Sequence, residues 1–352
     1  MSIIFSKCQT NVGVALPSKM SDMLPDDNKY KWNLYEIPPW PFDDQAPESG
    51  DDDSSSRFVI RHLKQGRTGA VKTWPTAAVL LDYLIRRGGL MSAATSKVEG
   101  GKTLDLTSSV DTQAPSQEAT TLSLQNQERY NIVELGGGSG YLSVALALSM
   151  NRQACLEKKC GGRHDVLFQP RVRLLCTDND GPTLKNMRHN VIRQTRENHV
   201  TKAVAVERLG WGNDVGGDKF SKALGRQFSD LMSEPTQNSN DGTGGEDPIG
   251  LLTHVIGSDV HWGEATLGPL SSVISGFKLR NPKLRVILLL TERGGPCAVA
   301  DLQSQIEHKV KCGLEALGAA HRSSSLHDFV VNIRSVVHDD SANSAPMKMV
   351  EC

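Results

Sequence analysis

The stretch from Ile132 to Leu142 constrains this chain more than any other. It reads Ile132-Val133-Glu134-Leu135, then Gly136-Gly137-Gly138-Ser139-Gly140, then Tyr141-Leu142. An apolar run with an acid near its end leads into a glycine loop. Tyr141, Leu142, Val144, Ala145 and Leu148 then recur at helical spacing, so the stretch reads as strand, tight turn and helix start. That is the first βα unit of a nucleotide-binding α/β sheet. A Cβ in such a turn would obstruct both the chain reversal and the close approach of a ligand to the backbone.

The spacing of the glycines narrows the ligand. A dinucleotide fingerprint G-x-G-x-x-G, counted from Gly136 and Gly138, needs a third glycine where Tyr141 stands. The pattern present is Glu-x-Gly-x-Gly-x-Gly, from Glu134 to Gly140. It resembles motif I of the seven-strand S-adenosylmethionine-dependent methyltransferases, whose ligand carries a zwitterionic methionine end and no phosphate. Taken alone the motif also fits a glycine-rich turn of some other α/β protein. The rest of the chain has to decide.

Composition sets the outer limits. Of 352 residues 38% are hydrophobic and 5% aromatic, low for a wholly compact chain, so polar insertions are expected. A formal net charge of −1 argues against a broad nonspecific grip on nucleic acid, though not against a local basic patch. No run has the length of a membrane helix, and Met1 to Lys7 holds too short an apolar block for a signal peptide. Seven cysteines without paired C-x-x-C spacing suggest reduced thiols and no zinc framework. The expectation is a cytoplasmic protein, with a nuclear pool left open, that binds no metal and no membrane.

Taken in order, residues 1–56 read as an extension, with Trp32-Asn33-Leu34-Tyr35 able to dock on the main body and Asp51 to Ser56 as a solvated linker. Residues 57–62 and 69–74 are expected to pair as strands. A helix follows from about Pro75 to Arg87, punctuated by Pro75 and Gly88-Gly89; on local grounds Trp74 ahead of it is core. Residues 92–128, 151–170 and 213–250 are polar, weakly periodic and read as disordered or surface insertions, with at most a short helix near Phe220 to Leu231. The second strand, Val172 to Thr177, ends at Asp178, where an acid can accept hydrogen bonds from ribose hydroxyls. Asp180 competes for that role, but Asp180-Gly181-Pro182 looks like a helix cap.

A helix with Asn186 and Asn190 four apart comes next, then strands at Ala203–Val206, Thr253–Ser258 and Leu284–Thr291. The last of these is apolar enough to be covered on both faces. A closing strand is expected at Phe329–Ile333, and residues 339–352 read as a polar tail. Strands alternating with helices make a doubly wound, Rossmann-like α/β fold, with one methyltransferase-type domain over residues 57–338.

Four pieces in this order resemble the protein-lysine branch of the seven-strand methyltransferases, methyltransferase family 16. They are Val71 to Ala78 with Leu84; Val133 to Gly140; Cys176-Thr177-Asp178 with Leu184, Asn186 and Asn190; and Leu209 to Gly212 followed by Ile256 to Trp262. The resemblance implies S-adenosylmethionine as cofactor and a lysine amine of a protein substrate as acceptor, in an enzyme expected to be monomeric and not to act on nucleic acid. Gly136, Gly137, Gly138 and Gly140 would lie under the methionine end, with Glu134 anchoring their loop. Asp178 would hold the ribose, Trp211 the adenine, Trp74 the N-terminal wall and Ser258 the tip of strand four. Asp259 would face the nucleophile, with Trp262 in the channel wall. Asn186 and Asn190 fit braces better than ligands. The family's Asp-x-x-Tyr signature ends in Trp262 here, so any hydrogen bond from a phenol is lost. A different acceptor, or a non-catalytic interaction module, stays open on sequence alone.

Overall fold

A computed structural model describes residues 3–5, 14–15, 29–37, 57–65, 71–86, 89–90, 129–151, 171–198, 200, 202–211, 217–228, 247–291, 298–316, 332–338 and 347–352. The strands are β1 (Ile3–Phe5), β2 (Val14–Ala15), β3 (Tyr30–Glu36), β4 (Arg57–Leu63), β5 (Tyr130–Leu135), β6 (Val172–Asp178), β7 (Val204–Arg208), β8 (His254–Ser258), β9 (Arg285–Thr291), β10 (Asn332–His338) and β11 (Met347–Glu351). The helices are α1 (Pro75–Arg86), α2 (Tyr141–Met150), α3 (Gly181–Glu197), α4 (Asp218–Phe228), α5 (Glu264–Arg280) and α6 (Ala298–Ala316).

One sheet runs in the order β1-β10-β11-β9-β8-β5-β6-β7. Strands β7, β6, β5, β8 and β9 are parallel, and β11 lies antiparallel between β9 and β10. The parallel strands read as continuous apolar runs because each face is covered, and alternate side chains enter two separate cores. Ile132, Leu174, Ile256, Ile287 and Leu289 pack with α1 and α2 on one face. Val133, Leu135, Leu175, Val255, Val286 and Leu288 pack with α4, α5 and α6 on the other. Helix α2 carries no charged residue, and all ten of its side chains are buried, as a helix enclosed on every side requires. The doubly wound α/β architecture expected from the alternation is the one the chain adopts.

Three expectations change. Residues 71–74 do not pair with β4, whose partner is β3, in register from Tyr30↔Leu63 to Glu36↔Arg57, and residues 69–70 lie outside the described residues. Val71 to Trp74 instead leads into α1, because Pro75 starts a helix and Trp74's carbonyl accepts from Ala77 N at 3.0 Å. The supposed polar tail contains β11, with Met347, Met349 and Val350 buried. The closing element is therefore this strand, inserted beside β9, while the strand expected to close the sheet is β10 at Asn332–His338. Within 213–250, α4 buries Phe220, Ala223, Leu224 and Phe228 against the sheet. The insertion at 92–128 and the rest of the other two, apart from Asn151, Gly217 and residues 247–250, lie outside the described residues.

Candidate active site

Strand β5 ends at Leu135, and the chain turns through Gly136, Gly138 and Gly140 at φ of 61°, 56° and 81°. These are left-handed conformations that a side chain rarely adopts, which is why glycine occupies all three. The turn is tied to the neighbouring strand. Gly137 N donates to Thr177 O at 2.8 Å, and Thr177 Oγ1 donates to Glu134 O at 2.7 Å.

Glu134 lies beneath the turn, 2% exposed. It accepts from Ser143 Oγ, and from Cys176 Sγ at 2.9 Å. Burial pushes its pKa up, and burial together with the adjacent Glu134 pushes the Cys176 thiol well up as well. The space a Cβ on Gly137 would need is filled by Cys176 Sγ, with Glu134 Oε2 beside it. Glu134 therefore props the loop from behind and takes no part in the cleft wall.

Asp178, at the tip of β6, reaches that same turn. Its Oδ2 accepts from Gly138 N at 3.2 Å, and its Oδ1 accepts from Asn179 N at 2.8 Å and Asp180 N at 3.0 Å. A carboxylate has about four lone-pair directions, so three backbone bonds leave it capacity for one more strong donor. Burial in the cleft raises its pKa, against the lowering effect of those N–H groups. Asp180 is a cap, as its sequence context suggests: its side chain accepts from Thr183 N at 3.1 Å and Thr183 Oγ1 at 2.7 Å.

A cleft of about 700 Å³ opens above the carboxyl ends of β5, β6 and β8. Seven residues singled out in the sequence meet there: Trp74, Gly136, Asp178, Trp211, Ser258, Asp259 and Trp262. Gly137, Gly138 and Gly140 shape the turn and are not in the wall. A Cβ on Gly136 would stand 2.9 Å from Val260 Cγ1 and 3.5 Å from Trp211 Cζ2, so this backbone lies bare between two side chains.

Asp259 is the non-glycine residue with positive φ (55°) among the described residues, and it is 2% exposed. Its N–H donates to Leu289 O at 2.8 Å, and its Oδ1 accepts from Thr291 N at 3.2 Å. The tip of β9 thus holds both its backbone and its carboxylate. Strained non-glycine residues cluster at functional sites because surrounding contacts must over-determine them.

Trp262, 45% exposed, stands at the mouth with its ring 5.5 Å from that of Trp74 at 75°. Thr266 orders this segment: its Oγ1 accepts from Trp262 N at 2.9 Å and donates to Gly263 O at 2.9 Å. Thr266 was missed in the sequence reading, as were Val260, Asn179, Thr183, Ala265 and Pro269. Adjacency to Asp178 and to Trp262 was the signal available for most of them.

A mostly parallel sheet covered on both faces, with a glycine turn and a second-strand acid meeting at its carboxyl edge, defines a class I S-adenosylmethionine-dependent methyltransferase. Residues 57–225 match the family model described as lysine methyltransferase. The chain's methyl donor is S-adenosylmethionine. No curated protein matches the chain in sequence.

Among solved structures the chain is similar to the precorrin-6y C5,15-methyltransferase of Geobacter metallireducens, at 14% identity over 69% of this chain and 92% of that one, with a TM-score of 0.30. It is also similar to the METTL16 methyltransferase domain (10% identity, 82% and 84% covered, TM-score 0.34). A third is an O-methyltransferase of Bacillus cereus in complex with SAH (13%, 68% and 81%, TM-score 0.30). Among the described residues no helix is long and apolar enough to cross a membrane.

Proposed function

We propose that this methyltransferase acts on a protein, at the side-chain amine of a lysine. The observation that carries the reading is the convergence in one cleft of Asp178 and Gly136 on one side with Asp259, Trp262 and Trp74 on the other. The residues present fit the cofactor. The wall at Gly136 is bare backbone that a Cβ would crowd, and Asp178 has capacity for a ribose hydroxyl. When bound, the cofactor supplies an electrophilic sulfonium methyl group.

This chain's own residues supply position and desolvation. Asp178 accepts from the sugar, and Trp211 flanks the adenine. Asp259, pinned by Thr291 N, orients the incoming amine without having to reorganise. A free lysine amine has a pKa near 10.4 and must lose its proton before it can attack. The Trp74–Trp262 mouth sheds water from it, which lowers that pKa. The companion expectations of a monomer in the cytoplasm, with or without a nuclear pool, belong to the same proposal.

The test is to incubate the purified chain with a cell lysate and methyl-labelled cofactor, and to locate the label by mass spectrometry. Methyl-lysine in a protein, absent with Asp178→Ala, is the expected result. Label found only in RNA or small molecules would overturn the acceptor assignment.

A further inference from the structure

Past the end of α3 that borders the catalytic cleft, a second hollow of about 560 Å³ opens between that helix and the β3–β4 pair. Tyr30, Trp32 and Arg61 form one wall, and His189, Arg193 and Arg196 form the other. The arginines are ordered by the rings. Arg61's guanidinium lies 3.9 Å from the centre of Tyr30 and 5.9 Å from that of Trp32, and Arg193's lies 4.9 Å from Trp32.

Each of these two is also held through its Nε, Arg61 to Asn186 Oδ1 at 2.9 Å and Arg193 to Glu197 Oε1 at 2.8 Å. Stacking engages the face of a guanidinium and not its N–H edge, so the rings orient these groups without consuming their donors. Among the described residues lining the hollow, Arg61, Arg193 and Arg196 face one carboxylate, Glu197. The excess is felt by His189, whose pKa is lowered first by burial and then by Arg61 and Arg193. This is a local basic patch on a chain of formal net charge −1. Methyl transfer in the cleft makes no use of it.

We propose that this hollow docks an acidic segment of the protein substrate, its carboxylates taken by Arg193 and Arg196. The proposal rests on the reading of the acceptor as a protein. Two observations favour peptide over nucleic acid. Bases need open ring faces to stack on, and here the guanidiniums of Arg61 and Arg193 lie over the rings of Tyr30 and Trp32. Ile192, in the same wall and 53% exposed, offers an apolar contact suited to a peptide side chain. Spacing adds a constraint. Thr183 lines the catalytic cleft and Arg193 the second hollow, ten residues apart on α3 or about 15 Å at the helical rise. About five residues of extended chain span that distance between the two hollows.

The full chain is titrated by fluorescence anisotropy with a fluorescein-labelled hexaglutamate peptide, and separately with a ten-nucleotide oligouridylate. Saturable peptide binding is expected, weakened about tenfold or more by Arg193→Gln with Arg196→Gln, each of which removes a charge-assisted contact. Calorimetric affinity for S-adenosylhomocysteine should be unchanged in that variant, which verifies its fold. The proposal is overturned if the peptide does not bind or binds the variant equally well. Tighter binding of the oligouridylate through the same arginines would overturn it too, as would displacement of the peptide by an equal concentration of inorganic phosphate. Peptide binding without any lysine methylation in the lysate experiment would leave the docking site standing and remove the acceptor assignment. Lysine methylation with an unchanged KM for the protein substrate in the variant would do the reverse.

Discussion

Asn190 Nδ2 donates to Ser139 O at 2.8 Å, joining the third helix to the inside of the glycine turn. The same nitrogen donates to Arg61 O at 2.8 Å, and Asn190 Oδ1 accepts from Arg61 N at 2.9 Å. One amide thus mates the outer edge of β4 with α3 and holds the cofactor turn in place. Asn186, one helical turn earlier, repeats the pattern through Arg61 O and Arg61 Nε. Asn190→Ala would leave Arg61 N and Ser139 O without their amide partner at a position that is 1% exposed, while Arg61 O keeps Asn186. A loss of about 3 kcal/mol of stability is expected from urea unfolding, together with weaker cofactor binding.

Gly136→Ala places a Cβ where φ is +61° and Val260 Cγ1 is 2.9 Å away. The left-handed backbone alone costs about 1–2 kcal/mol. Thermal unfolding should show that loss, and calorimetry with S-adenosylhomocysteine a markedly lower affinity. Adding Val260→Ala should recover only the packing part, since the dihedral strain remains.

Asp259→Asn keeps an oxygen that can accept from Thr291 N, so the fold should survive. If the carboxylate orients the acceptor amine, methyl transfer falls by about 100-fold while cofactor affinity holds. Undiminished transfer with normal cofactor binding would remove Asp259 from the acceptor site.

Burial lowers the pKa of His254 to about 3, with Arg285 adding to the effect; its Nε2 is buried without a hydrogen-bond partner. The neutral ring therefore contributes stability that is fully present above the unfolded value of about 6.5. That contribution is lost as pH falls from there toward the folded value, because the unfolded chain binds the proton first. Between pH 7 and 5 the loss from this one residue is about 2 kcal/mol. Urea unfolding at both pH values should show a shallower decline for His254→Gln than for the wild type. An equal decline in both would place the titration elsewhere.

Deleting residues 347–352 removes the strand that joins β9 to β10 and the Arg285–Glu351 ion pair, whose two side chains are both mostly buried. It also uncovers one edge of β9, a strand whose central residues are wholly buried. Loss of cooperative unfolding by circular dichroism is expected. A truncated chain that retained the wild-type transition would contradict the assigned strand order.

The glycine turn, Asp178 and the Asn186–Asn190 brace were legible because each is written in a few adjacent residues whose dihedrals or helical phase admit one reading. The partner of β4 was not. Arg57–Leu63 reads as a strand by itself, but its pairing with Tyr30–Glu36 joins segments some twenty residues or more apart, which no local pattern specifies. Strand β11 was hidden for a related reason. Its five residues carry little periodicity of their own, and their burial comes from neighbours β9 and β10.

By itself the sequence determined what is local: where the backbone must go left-handed, which runs are covered on both faces, and which acid ends the second strand. The tertiary structure alone decided which of those residues became neighbours. It brought Trp74 to 5.5 Å from Trp262, set Val260 under Gly136, and tied Asp259 to the end of β9. Dihedral preference and side-chain period act over a few residues. Contacts between distant segments depend on how two cores pack on opposite faces of one sheet, and no short stretch of chain encodes that.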